Sequence, residues 1–321
     1  MPDLRTILVA GVIPGVVSGV ALLLLWWWDR WRQRRVAGAS DASLGERSRA
    51  RERVGPVWLL PVLLAGSFIA GDYTVNGTPF WWPDSNPYRF VHAAAALGLL
   101  GLVEGVFRLA WWVAAVLRAG VLGGIVWMLG EGYVPHAVAE HDFVGWMLLA
   151  GLGGAGLIAG IERGARELRG AVPMVPIVMT FGAAPGLMFF AGYAGLAQAA
   201  IGPIACATAA MVVGLLFRDR LRVDRGTVTV ACGLLVAMAV GAGFQVEPLS
   251  GPALLLFVAG PVGIAAAAGF AGRHWGLRLA AATIASAALL GASAYTLHLA
   301  QPEPAPEEED PYADYYQYYD E

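Results

Sequence analysis

Apolar residues run along this chain in long blocks, separated by short polar stretches in which arginine recurs. A helix rising 1.5 Å per residue needs about 20 apolar residues to cross a hydrocarbon core of about 30 Å. Ten segments satisfy that requirement: 6–28, 55–72, 90–107, 109–130, 143–161, 171–191, 195–217, 227–244, 251–271 and 276–298. The stretch from Ala171 to Phe217 carries no charge and is too long for one crossing. Ala191-Gly192-Tyr193-Ala194-Gly195 is the turn expected inside it. The first segment, Thr6 to Trp28, is too long for a signal-peptide core and lacks a basic start, so it reads as a span.

Arginine placement orients these spans. Eight arginines lie between spans one and two, with Arg108, then Arg163, Arg166 and Arg169, then Arg218, Arg220, Arg222 and Arg225, then Arg273 and Arg278 in alternate connections. That sorts eighteen of the 21 to one side, which is expected to be cytoplasmic; a miscount by one helix would destroy the sorting. Both termini then lie outside. Trp26-Trp27-Trp28 and Trp111-Trp112 mark inner boundaries, and Trp81-Trp82, Trp127 and Trp146 lie nearer the outer one, where an indole buries its ring and keeps its N–H wet.

The expected fold class is therefore all-α, a polytopic transmembrane bundle of about ten spans over 1–300. A basic, flexible cytoplasmic loop, 29–54, lies within it. The residues 301–321 form an acidic tail with five tyrosines, too polar to bury a core and expected to be disordered. Composition agrees: 58% of the 321 residues are hydrophobic, 14% are charged and mean hydropathy is +0.61. A soluble domain carries roughly a quarter charged residues. The 42 glycines suit close helix packing in lipid. Cys206 and Cys232 sit in separate spans with no CxxC, so no disulfide is expected.

Ionisable groups inside hydrocarbon are costly and point to function. Glu104 lies near the inner end of span three, and an i,i+4 interfacial ion pair with Arg108 is its simplest role. Arg118, nine residues past Leu109, is about 13–14 Å deep on an ideal helix. It must find an anion, carbonyls or water, or snorkel back toward the interface; gripping an anionic substrate or lipid is its functional reading. Interrupted helices form a second candidate. Span one holds Gly11, Pro14 and Gly15 within a GxxxGxxxG ridge, and span six holds Gly182, Pro185 and Gly186. The shared GxxPG, five spans apart, raises the expectation of two five-helix halves in inverted repeat with a midplane site between spans one and six. Helix packing and simple kinks are the alternative. A third candidate is the outer surface, where His92, His136, Glu140 and His141 could hold Zn or Cu, or relay protons.

No P-loop, GxSxG, HExxH, dinucleotide fingerprint or haem-attachment motif is present, and no basic-aromatic surface suggests nucleic acid. Nothing in the residues fixes a cofactor. The lipid bilayer is the first partner, and protein partners could dock on glycine-rich faces or the acidic tail. Three readings follow, in order: a transporter or permease-like protein of a bacterial inner membrane; a non-catalytic subunit or scaffold of an envelope complex; and a membrane enzyme or metal-handling protein using the outer histidines.

Overall fold

The computed structural model describes residues 7–38, 58–77, 86–107, 109–131, 140–190, 192, 194–216, 223–245, 251–270, 272 and 274–300. Every regular element among them is helical. A π segment, Ile7–Val12, leads into α1 (Ile13–Gly38); then come α2 (Leu59–Asn76), α3 (Asn86–Val106) and α4 (Trp111–Gly130). The fifth apolar stretch is α5 (Glu140–Leu148) and α6 (Gly154–Ala165), joined through a π segment at Leu149–Gly153. Next are α7 (Met174–Phe190), α8 (Ala194–Ala199), α9 (Ile201–Leu216) and α10 (Arg225–Gln245). The chain ends in α11 (Gly251–Val258), a 3-10 turn at Gly260–Val262, α12 (Gly263–Ala268) and α13 (Trp275–Leu299).

Among the described residues nine helical stretches are long and apolar enough to cross a membrane. The tenth apolar helix, α7, is shorter, with 17 residues. The expected turn is where the uncharged run suggested: α7 stops at Phe190, Gly192 takes φ 70°, and its N–H donates to the Phe189 carbonyl at 3.0 Å. A left-handed residue there ends the helix at no cost only if it lacks a Cβ. The tail 301–321 and residues 39–57 lie outside the described residues.

Helix α10 is the axis of the bundle. In the most apolar 18-residue window of Arg225–Phe244, 94% of residues are buried, against 17% for the corresponding window in α13. It packs on α2, α3, α4, α6, α7 and α11. Small residues make this possible. A Cβ on Gly226 would overlap the Gly101 carbonyl of α3, one on Gly233 would meet Leu97, and one on Gly241 would meet Phe90. The 7- and 8-residue spacings keep these glycines on one face, so α3 lies close along the length of α10.

The glycine ridge of span one has a packing role. Side chains at Gly11, Gly15 and Gly19 would point at Ile201, Ala205 and Ala209 of α9, at 3.0, 3.3 and 3.8 Å. Two expectations change here. Pro185 does not interrupt span six, since α7 passes through it as one helix; a proline removes one backbone bond, which bends a helix without having to break it. Spans one and six also share no main interface among the described residues. Span one packs on α2 and α9, whereas α7 packs on α8, α9 and α13. A two-fold exchange of halves would have set α7 against α2. Gly182 and Gly186 have open space beside them. Pro14 marks the change from π to α geometry at the start of α1. In span nine, Pro261 gives a 3-10 turn, and the Ser286 hydroxyl of α13 donates to the Gly260 carbonyl at 2.8 Å.

Candidate functional site

Helices α3 and α4 are antiparallel neighbours joined by a tight link, and α6 ends and α10 starts at the same end of the bundle. Each brings one charged or polar side chain inward. Glu104 stands two residues before the end of α3 at Val106, and Arg118 lies two turns into α4. The arginine reaches back toward the link. Its Nε donates to Glu104 Oε1 at 2.8 Å and its Nη2 to Glu104 Oε2 at 2.9 Å. Nη2 also lies 3.0 Å from Glu162 Oε2 on α6. The Arg118 side chain is 2% exposed and that of Glu104 is fully buried.

The network continues through α10. Thr229 Oγ1 donates to Glu104 Oε2 at 2.6 Å. Arg225, the first residue of that helix, donates from Nε to Glu162 Oε1 at 2.8 Å and from Nη1 to the Leu109 carbonyl at 2.9 Å. Arg166, one turn beyond Glu162 on the same chain segment, also donates to Glu162 Oε1. Glu162 thus receives three arginines, and Glu104 is held by the bidentate fork of one. Buried charges of this kind persist only when their remaining hydrogen-bonding groups are satisfied, and here they are.

Beside the network is a cleft of about 610 Å³ between α4 and α6. Arg118, Glu162, Arg163, Arg166 and Arg225 form its polar part, and Ala115, Ala119, Ala155, Gly156 and Ala159 form narrow apolar walls. Four arginines face two glutamates, Glu104 included, so positive charge is in excess. The cleft is open on one flank, where Trp111, Val116 and Leu152 line it and are strongly exposed. The arrangement can hold an anion by charge-assisted hydrogen bonds while its walls accept a hydrocarbon chain.

Just before α10, Asp224 receives hydrogen bonds at Oδ1 from the Thr227 N–H (2.8 Å) and the Thr227 hydroxyl, an N-cap for the central helix. Burial pushes its carboxyl from 3.8 up to about 6.

Of the residues read from the sequence, Glu104 and Arg118 are brought together. Gly11, Pro14 and Gly15 lie in the α1–α9 packing, away from Gly182, Pro185 and Gly186 on α7. Arg108 and His136 fall outside the described residues, as do the side chains of Glu140 and His141. His92 lies early in α3, and no group of three or more His, Cys, Asp or Glu among the described residues could hold a metal. Glu162, Arg225 and Thr229 were missed. Glu162 lies one residue beyond the expected end of span five and Arg225 counted as a topology signal; the i,i+4 pair Glu162–Arg166 was the one sequence sign available. The chain matches no protein-family model, no curated protein and no solved structure.

Proposed function

We propose that this chain is a permease-like membrane protein that takes an anionic amphiphile into the cleft between α4 and α6. The head group sits at Arg118, Arg163, Arg166 and Arg225, and the hydrocarbon chain lies along the alanine and glycine walls. One observation carries this reading: an arginine 2% exposed, deep in an apolar helix, lines an open cleft of about 610 Å³ together with three more arginines. Guanidinium is the cation suited to planar, bidentate recognition of phosphate or carboxylate. A cleft of this volume is in the range of small-molecule sites, about 300–1,000 Å³. The arginine-rich end is assigned to the cytoplasmic side of a bacterial plasma membrane, with α7 as a tenth crossing.

Saturation of Glu104 by Arg118 and Thr229 favours a second reading, in which the network is a clamp tying four helix ends in a non-catalytic membrane subunit. Binding separates the two. Purified protein in neutral detergent is offered phosphatidylglycerol and phosphatidylcholine of equal chain length, and retained lipid is counted by native mass spectrometry. The permease-like reading expects preference for phosphatidylglycerol. Arg163 is exposed and makes none of the network bonds described above, so Arg163→Gln should lower that preference by up to about tenfold, one charge-assisted contact, without loss of fold. Equal retention of both lipids, or no effect of Arg163→Gln, leaves the clamp.

A further inference from the structure

At the far end of α3 from Glu104, about 21 Å along the helix if measured from Phe90, lies a second polar feature, independent of the arginine cleft. Asp72 is 1% exposed on α2. Its Oδ1 accepts a hydrogen bond from Asn76 Nδ2 at 2.8 Å, one turn later. Its Oδ2 has no hydrogen-bond donor among the described residues. That oxygen belongs to a side chain lining a cavity of about 240 Å³, together with Asn76, Phe90, Gly192, Gly195 and Leu196. The volume exceeds several times the ~30 Å³ share of one water.

Three features of the fold favour a cation in this cavity, against the opposing start of the short helix α8, whose Ala194, Gly195 and Leu196 also line it. Asp72 contributes a carboxylate. It does so near the C-terminal end of α2, where the helix dipole opposes a negative charge and favours a cation. Helix α7 also ends beside the cavity, since Gly192, which lines it, follows Phe190 directly after the last turn. Arg89, the arginine at this end of α3, donates to the Met128 carbonyl at 2.6 Å and lies 3.7 Å from Glu131. A buried carboxylate oxygen without a donor among the described residues, lining a roomy cavity beside two helix C-termini, is a place where a cation is stabilised.

We infer that Asp72 and Asn76 form a binding site for a monovalent alkali cation such as Na⁺. Hard oxygen donors suit such an ion, and a single carboxylate matches a single charge.

The test is the thermal midpoint of the full chain in neutral detergent at fixed pH, with NaCl exchanged for choline chloride at constant ionic strength. A cation that binds only the folded state raises the midpoint, by about 3 °C for each tenfold step above half-saturation. The wild-type protein should show this rise in Na⁺ and not in choline. Asp72→Asn, which keeps shape and hydrogen bonding to Asn76, should abolish it; Asn76→Ala should shift half-saturation to higher Na⁺. Equal midpoints in the two salts overturn the inference even if neither variant folds. So does a Na⁺-specific rise that survives in Asp72→Asn, or a midpoint that responds to pH alone.

Discussion

Removing Arg118 is the most informative single perturbation of the buried network. Arg118→Met deletes two bonds to Glu104, at 2.8 and 2.9 Å, and the 3.0 Å contact with Glu162. Glu162 keeps Arg225 and Arg166. Glu104, fully buried, keeps the Thr229 hydroxyl as its one remaining partner among the described residues. Breaking a buried ion pair from one side costs about 3–5 kcal/mol, because the remaining charge has no compensation. Ordinary side-chain hydrogen bonds between membrane helices average only about 0.6 kcal/mol. The two cases therefore differ by several-fold. Reversible unfolding in mixed micelles, followed by tryptophan fluorescence, measures the loss. Arg118→Met should cost about 3–5 kcal/mol, and adding Glu104→Gln to it should recover more than half of that, since the orphaned charge is gone. A loss below about 1 kcal/mol for Arg118→Met, or no recovery in the double variant, refutes the geometry of the network.

Three further outcomes follow from the packing and the charges. Gly226→Ala places a Cβ into the Gly101 carbonyl, which cannot move without its helix, so it should destabilise by about 1–3 kcal/mol or more, while Gly120→Ala, with open space beside it, should be neutral by the same assay. Asp224 has a folded-state carboxyl raised to about 6 against about 3.9 unfolded, so its contribution is fully present below pH 4 and lost as pH rises through 6. The wild-type thermal midpoint should therefore fall relative to Asp224→Asn between pH 4 and 7, the asparagine keeping the cap; parallel profiles would contradict this. Cys206 and Cys232 are buried, so introduced cysteines report sidedness: with ten crossings, a membrane-impermeant maleimide added outside cells should label Ala300→Cys and spare Glu167→Cys, and the reverse or equal labelling would contradict that orientation.

The spans were legible because a bilayer requires long apolar runs, and charges between them are few enough to count. The turn at Gly192 was legible for a local reason, glycine in an uncharged run that had to fold back. Arg118 and Glu104 were legible as residues, because charge in a span is expensive. Their partnership was not, since nothing in spacing says that an arginine two turns into α4 reaches back along its own helix to α3. Glu162 and Arg225 were hidden by the same rule that found the spans: charges at span ends look like topology signals, and only packing shows that these turn inward. The glycines of span one fitted both a packing ridge and part of a broken-helix site. Their partners Ile201, Ala205 and Ala209 show a packing ridge, which no local pattern separates from a site.

The claim that the α4–α6 cleft holds an anionic amphiphile is tested most directly by filling it. A Cβ on Gly156 meets nothing within 4 Å, and the residue lines the cleft, so Gly156→Phe can project a ring there without disturbing the helices. Phosphatidylglycerol retention by wild type and Gly156→Phe should be compared by native mass spectrometry, with the thermal midpoint as the check on folding. The account predicts at least about a tenfold loss of retention with the midpoint nearly unchanged. Retention of phosphatidylglycerol at the wild-type level by a folded Gly156→Phe protein would contradict it.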